Sequence, residues 1–299
     1  MKSLLTNTAS YIVVGLLILL SLIPLRVLLF LSPTLAYLLE HVFGYRKKVI
    51  TNNLRNSFPG HDNKAIAKVR SGFYLHLSDM FFETICLLTA RRNDVLKRCT
   101  LDDGSARLLD SFYATGKSVI VLSGHFGNWE YQPASGSKNP NFLVLPIYRP
   151  LKNKAFDWYI GRIRLRFSDD IIPDRQVART VVSLNKQNKQ ALLGLVSDQF
   201  PGHRHALWMP FLNQDTAVYS GPEKLARMLK LPVVFLSSRK TSRGVYSMNC
   251  QLITDKPESL PEGEITRMFL HMLEQEILSA PQYYLWSHDR WKHPRDRSV

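Results

Sequence analysis

An α/β fold with a mostly parallel central sheet flanked by helices, and with an N-terminal membrane-anchor helix, is predicted by three observations. Strand-like and helix-like segments alternate through most of the chain after residue 118. The β-branched run Ser118-Val119-Ile120-Val121-Leu122-Ser123 marks a buried strand that ends directly in a glycine-flanked motif. Residues 3–25 carry no charge at all. Alternation of this kind folds as a parallel sheet covered on both faces.

The first element justifies the anchor. An uncharged run from Ser3 to Leu25 is long enough to cross a hydrocarbon layer about 30 Å thick. Pro24 and Arg26 interrupt it, and Val27 to Leu39 resumes an apolar pattern suited to a second helix lying in the interface. A cleaved secretion signal fits less well, because the apolar stretch is too long and no clean small-x-small site follows it. Arg26, Arg46, Lys47, Lys48 and Arg55 lie behind the anchor against Lys2 in front, an excess that stays on the cytoplasmic side. The chain thus divides into an anchor, residues 1–40, and a cytoplasmic domain, residues 41–299.

Residues Tyr45 to Pro59 form a basic connector. Ile66, Val69, Phe73, Leu77, Met80, Phe81 and Ile85 recur at helical spacing over residues 64–89, with Asn63 placed to cap the start. Strands are predicted at residues 118–122, 141–147, 191–196, 232–237 and 245–253, and helices at 128–135, 153–167, 177–185, 221–230 and 264–279.

A chain of 299 residues that is 45% apolar can bury a large core as one domain with a short appendage. Cys86, Cys99 and Cys250 are odd in number, far apart and without metal-ligand spacing, which points to reduced thiols. The net charge of +15 suits anionic lipid or an acidic protein partner. No RNA-recognition signature, zinc-finger spacing or basic zipper is present, so nucleic acid is not the expected partner. No metal site and no cofactor are indicated. A nucleophile elbow, Walker loop, dinucleotide fingerprint and His-Glu-x-x-His pair are all missing, which removes support from serine hydrolase, NTPase, dinucleotide-enzyme and zincin chemistry.

The candidate chemistry lies in Gly124-His125-Phe126-Gly127-Asn128-Trp129-Glu130. In an open α/β sheet, ligands bind beyond the carboxyl ends of the strands, and this motif sits there. The glycines at 124 and 127 would leave space for a ligand to approach the backbone. Spacing alone says little, since composition predicts about 0.7 chance His-x4-Asp/Glu pairs and the chain holds two. The second, His271 with Glu276, falls in an amphipathic helix that points its members apart. His125 is therefore the candidate general base, and Glu130 the acid that fixes its tautomer. Backbone N–H groups near Gly127 and Asn128, or Arg149, are the candidates for oxyanion stabilisation.

Tyr148-Arg149-Pro150 and Ser197-Asp198-Gln199 close two further strands. Arg149 suits a phosphate or an oxyanion, or alternatively an ion pair with Asp198 that ties two loops together. Asp198 and Gln199 are candidate substrate-binding or supporting residues. The tail from Tyr283 to Lys292 interleaves aromatic and basic residues, as an interfacial belt does, or as a segment packed over the core. His288 in that tail is a positioning residue at most.

With these residues in view, the chain resembles the bacterial lipid A biosynthesis acyltransferases over nearly its whole length. The likeness rests on the anchor, on Asn53-Leu54 and Ser57-Phe58-Pro59, and on the Gly124 to Glu130 block. It extends through Tyr148-Arg149-Pro150, Ser197-Asp198-Gln199 and the ending Tyr284 to Lys292. The resemblance implies acyl transfer at the cytoplasmic face of the inner membrane, from an acyl carrier protein thioester to a hydroxyl of a lipid A precursor, an anionic glycolipid. It implies catalytic roles for His125 and Glu130 and an assisting role for Arg149. Residues 200–216 depart from the family's enterobacterial pattern, with Phe211-Leu212-Asn213 in place of an aromatic-glycine pairing. Competing expectations are another lipid acceptor, such as a glycerolipid or aminolipid, and a non-catalytic membrane-associated scaffold.

Overall fold

The computed structural model describes residues 2–199, 206–293 and 295. In chain order the elements are α1 (Lys2–Ser21), α2 (Leu25–Tyr37), α3 (Lys47–Ser57), α4 (Asn63–Cys86), α5 (Arg92–Leu96), β1 (Cys99–Leu101), α6 (Asp103–Ala114) and β2 (Val119–Ser123). Then follow α7 (Gln132–Gly136), β3 (Leu143–Tyr148), α8 (Lys154–Leu165), β4 (Ile172–Pro173), α9 (Val177–Lys186) and β5 (Ala191–Val196). The chain continues with β6 (Ala206–Phe211), β7 (Gln214–Tyr219), α10 (Gly221–Leu229), β8 (Val233–Ser242), β9 (Val245–Thr254) and α11 (Glu264–Ser279).

Seven strands form one sheet in the order β1-β9-β8-β2-β5-β3-β4. Every neighbouring pair is parallel except β8 with β9, which form a hairpin. The sheet is covered on both faces, as predicted. One apolar core joins Ile120, Leu193 and Phe235 of the sheet to Val181 of α9, Ala226 of α10 and Phe269 of α11. The other joins Val119, Leu192 and Leu236 to Leu109 of α6, Ala134 of α7 and Tyr159 of α8. Alternate residues of β2, β5 and β8 feed the two cores, which is why their apolar runs are unbroken.

β5 is inserted between β2 and β3, although it follows both in sequence. Its register sets Val196 opposite Ser123, and Ser197 N–H donates to Ser123 O at 2.9 Å. The chain leaving β5 is thereby held against the chain leaving β2.

Several local expectations change. The basic connector is mostly helix α3, whose Ile50, Asn53, Leu54 and Ser57 are buried. Asp62, not Asn63, caps α4, its carboxylate accepting from Ala65 N–H at 2.7 Å. The helix expected over 128–135 begins as a single 3-10 turn, residues 129–131, before the short α7. The β6–β7 hairpin covers the described part of the atypical 200–216 segment; residues 200–205 lie outside the described residues.

The N-terminal run is two helices broken before Pro24, and neither stands free of the domain. Val14 is buried in the core beneath α8, and Asn153 Nδ2 donates to Ser10 Oγ at 2.7 Å. α2 packs along α4, where Ser32 is bonded to the buried Asp79, which also receives Lys240 at 2.9 Å and Arg243 at 2.5 Å. A π-helical turn at Leu38–Val42 turns Glu40 inward to Arg70, at 3.0 Å. Among the described residues, Leu25–Val42 is the one stretch long and apolar enough to cross a membrane, and a third of it is buried against the rest of the protein. The two helices and the turn between them expose Ile12, Leu16, Leu19, Leu22, Phe30 and Leu31.

Candidate active site

His125 leaves the end of β2 and Asp198 the end of β5, so the strand register brings together two residues 73 positions apart. His125 Nδ1 lies 2.5 Å from Asp198 Oδ1. A carboxylate only accepts, so Nδ1 carries the proton and Nε2 presents its lone pair. The side-chain amide of Gln199 donates to that lone pair at 3.1 Å. The edge of the Trp129 ring packs against the imidazole with centroids 4.8 Å apart.

Asp198 is almost completely buried. Burial opposes its ionisation, but the charge and hydrogen bond of His125, with the Arg290 charge, outweigh it and hold the carboxyl well below the usual range. Arg290 lies 3.7 Å from Asp198 Oδ2.

Glu130 takes a different place. Arg164 of α8 grips it with two hydrogen bonds, at 2.6 and 3.0 Å. Burial again pushes against ionisation, and the Arg164 charge and bonds prevail, so Glu130 stays below the ordinary glutamate value. The expectation that Glu130 fixes the imidazole tautomer is corrected on this geometry: Asp198 occupies Nδ1, while Glu130 faces His125 electrostatically from the cavity wall. The alternative ion pair of Arg149 with Asp198 is also replaced. Arg149 is 73% exposed at the cavity mouth and pairs with Asp174 at 3.3 Å.

The loop carrying His125 is fixed from behind. Asn128 Oδ1 accepts from Glu130 N–H at 3.1 Å, and its amide donates to the buried Glu83 at 2.8 Å. Glu83 also accepts from Tyr246, 2.8 Å away. Gly127 has φ +63°, and a Cβ there would stand 2.0 Å from the Ser238 carbonyl oxygen. At Gly124 an added Cβ would meet the Leu273 side chain at 2.5 Å. The two glycines therefore serve close packing against β8 and α11, not ligand approach. Gly127 N–H donates to Tyr283 O at 3.0 Å, which removes it from the candidate oxyanion donors.

The tail is part of this support. Tyr284 and Trp286 are buried in the core, so they form no interfacial belt. His288 lies close enough to His125, Asp198 and Arg290 to feel their charges; burial and Arg290 depress its basicity.

A cavity of about 410 Å³ opens at His125 and runs across one face of the sheet. Arg149 and Leu151 are among its exposed members; Val121, Val144, Leu192 and Gly194 line it from the sheet, Gly136 from α7, and Leu101, Leu109 and Cys250 add to the apolar wall. Its volume and mainly apolar lining suit a flexible hydrocarbon chain. Cys86, Cys99 and Cys250 are free thiols and buried, and burial raises each well above the usual thiol value. A thiolate nucleophile is therefore disfavoured. No cluster of metal-ligating side chains occurs among the described residues.

Comparison with known proteins gives this geometry a context. Residues 1–293 match the family of bacterial lipid A biosynthesis acyltransferases. The chain is 25% identical over 274 residues to the lipid A biosynthesis palmitoleoyltransferase of Escherichia coli, covering 90% of this chain and 86% of that one. It is 27% identical over 186 residues to the lipid A biosynthesis lauroyltransferase of the same organism, covering 60% and 58% of the two chains. A lipid A biosynthesis acyltransferase of Shigella flexneri matches at 25% identity over 274 residues. An apolar cavity ending at a poised imidazole and a match along almost the full chain agree: this protein belongs to the bacterial lipid A biosynthesis acyltransferases and is an acyltransferase.

Proposed function

We propose that this acyltransferase moves a fatty acyl chain from an acyl carrier protein thioester to a hydroxyl of a lipid A precursor, with His125 as general base. The observation that carries the reading is the orientation of His125: Nδ1–H is committed to Asp198, and Nε2 offers a lone pair at the mouth of the apolar cavity. The acyl tail occupies the cavity, where each buried methylene contributes about 0.8 kcal/mol. The acceptor hydroxyl displaces the Gln199 amide from Nε2 and gives its proton to His125 as its oxygen attacks the thioester carbonyl. Collapse of the tetrahedral intermediate breaks the C–S bond, forms the ester and returns the proton from His125 to the thiolate. Asp198 stabilises the imidazolium between these steps. Glu130, clamped by Arg164, adds negative potential beside it. Arg149, exposed at the cavity and followed closely in sequence by Lys152 and Lys154, suits an acidic carrier or a phosphate.

The exposed apolar flank of α1 and α2, bordered by Arg26, Arg46, Lys47 and Lys48, suits attachment to an anionic bilayer surface from the cytoplasmic side of the inner membrane. The test is transfer of labelled acyl groups by membranes containing the protein, offered acyl carrier protein or coenzyme A thioesters with a purified lipid A precursor. Labelled lipid A from the carrier-protein thioester is expected. Labelling from coenzyme A alone would remove the proposed donor.

A further inference from the structure

Residues 283–290 run over the catalytic loop as a strap. Leu285 N–H donates to His125 O at 3.0 Å, and Phe126 and Tyr284 form an isolated antiparallel bridge. From the other side Asn53 donates to the carbonyls of Trp286 and His288, at 2.9 and 3.0 Å, and Arg46 to that of Ser287 at 2.9 Å.

The strap carries Arg290 into the interior with its side chain 2% exposed. Its Nη1 donates to the Tyr284 hydroxyl at 3.2 Å, and its Cζ lies 5.1 Å from the centroid of the Phe211 ring. Among the described residues, Nε and Nη2 are buried without a hydrogen-bond partner. A buried guanidinium so sparsely bonded is costly, and an aliphatic side chain of similar volume would fill the space without the desolvation penalty. Packing therefore does not account for the charge. What the charge meets is Asp198 Oδ2, the carboxylate oxygen that does not bond His125 Nδ1.

We propose that Arg290 is a positioning residue for the transfer reaction: a buried cation behind Asp198 that keeps this carboxylate ionised and aligned on His125 Nδ1. It touches neither substrate nor the reacting atoms. The proposal rests on His125 acting as the base. The groups facing Asp198 are His125, Tyr284 and Arg290, with His288 beside them; Glu130, paired with Arg164, faces His125 from the cavity side.

The test compares Arg290→Gln and Arg290→Lys in the full chain, with turnover followed across pH and folding followed by thermal melting. Removing a cation makes the His125–Asp198 pair easier to protonate as a unit, so the acidic limb of the kcat profile moves to higher pH in Arg290→Gln. A fall in kcat of about 10- to 100-fold with unchanged KM is expected, and Arg290→Lys restores most of the rate and the limb. A folded Arg290→Gln with an unmoved limb overturns the proposal, as does a loss that Lys does not repair. Should Arg290→Gln fail to fold, Arg290→Met, which fills the same space without the charge, replaces it. A limb moved to higher pH supports the proposal, and an unmoved limb overturns it. His125→Ala in the same assay separates the two ideas. Wild-type turnover there removes the base assignment and this proposal with it, whereas an inactive His125→Ala beside an unmoved Arg290→Gln limb removes the proposal alone.

Discussion

His125 sits in a loop that His76 holds from behind, and the two imidazoles differ in what their nitrogens meet. His76, on α4, is buried, bonds Gly127 O through Nε2 at 3.1 Å and packs edge-on against Tyr283. Burial and then the Lys240 charge lower its pKa to about 3, so it is a neutral spacer at physiological pH. His125 has a carboxylate on one nitrogen, a displaceable amide on the other, and a cavity in front. An imidazole in an enzyme core is thus not evidence of catalysis by itself. What decides is which nitrogen is left able to take a proton, and whether a substrate reaches it.

The sharpest way to break this contrast is His125→Ala. Turnover falls at least about 100-fold with the melting temperature retained, as steady-state transfer and calorimetry would show. Asp198→Asn comes next. It keeps the shape but lets the wrong tautomer form, and a loss of about 100-fold in kcat is expected with little change in KM. Glu130→Gln weakens the field beside the ring and leaves Arg164 half-paired; about a 10-fold loss and a lower melting temperature are expected, the latter because a buried ion pair has lost its charge partner.

His76→Gln sharpens the other half of the comparison. The glutamine amide still donates to Gly127 O, so turnover changes by no more than about threefold. The pH dependence of stability does change. The folded pKa of His76, about 3, lies below the ordinary 6.5, so the unfolded chain binds its proton first and stability declines as pH falls from about 6.5 toward 3. Denaturant unfolding across that range shows a shallower decline in His76→Gln. Asp198 contributes in a separate window: its depressed carboxyl stabilises the fold above about pH 4 and loses that effect at lower pH.

The effect of Gly136→Val is expected to be confined to chain-length preference. Its Cβ would meet Val144 at 3.4 Å and Leu192 at 3.6 Å, both lining residues, so the added methyl groups take space from the cavity. Transfer of short chains stays near wild type while long chains lose ground, by about tenfold for the longest, read by mass spectrometry of the product.

Much of this was legible along the chain. The apolar runs of β2 and β5 mark strands because alternate residues feed two cores, and the glycine-flanked motif marks His125 because it leaves a buried strand. The partner of His125 was not legible. Asp198 was singled out as the end of a strand, but only the insertion of β5 beside β2, across some 70 residues, puts it against Nδ1; Glu130 was the nearer carboxylate by number alone. Arg164 stands in a helix with Arg162 and is followed by Arg166, and only the packing of α8 decides which guanidinium turns toward Glu130. Arg290 was hidden in a tail whose mixture of aromatics and charges equally describes a membrane belt. The β6–β7 hairpin escaped because Pro210 and the polar Gln214 and Asp215 break its pattern, and because Leu212 and Asn213 both take positive φ without a glycine.

The strap over the His125 loop splits the site along the chain. Every strand of the sheet precedes it in sequence, yet His125 is clasped by Leu285 and Asp198 is backed by Arg290. Every residue that lines the cavity, and both carboxylates, precede the end of β9, whereas the clasp on His125 and the cation beside Asp198 follow it. A chain cut after β9 therefore keeps the lining residues and both carboxylates but loses the groups that hold them in place.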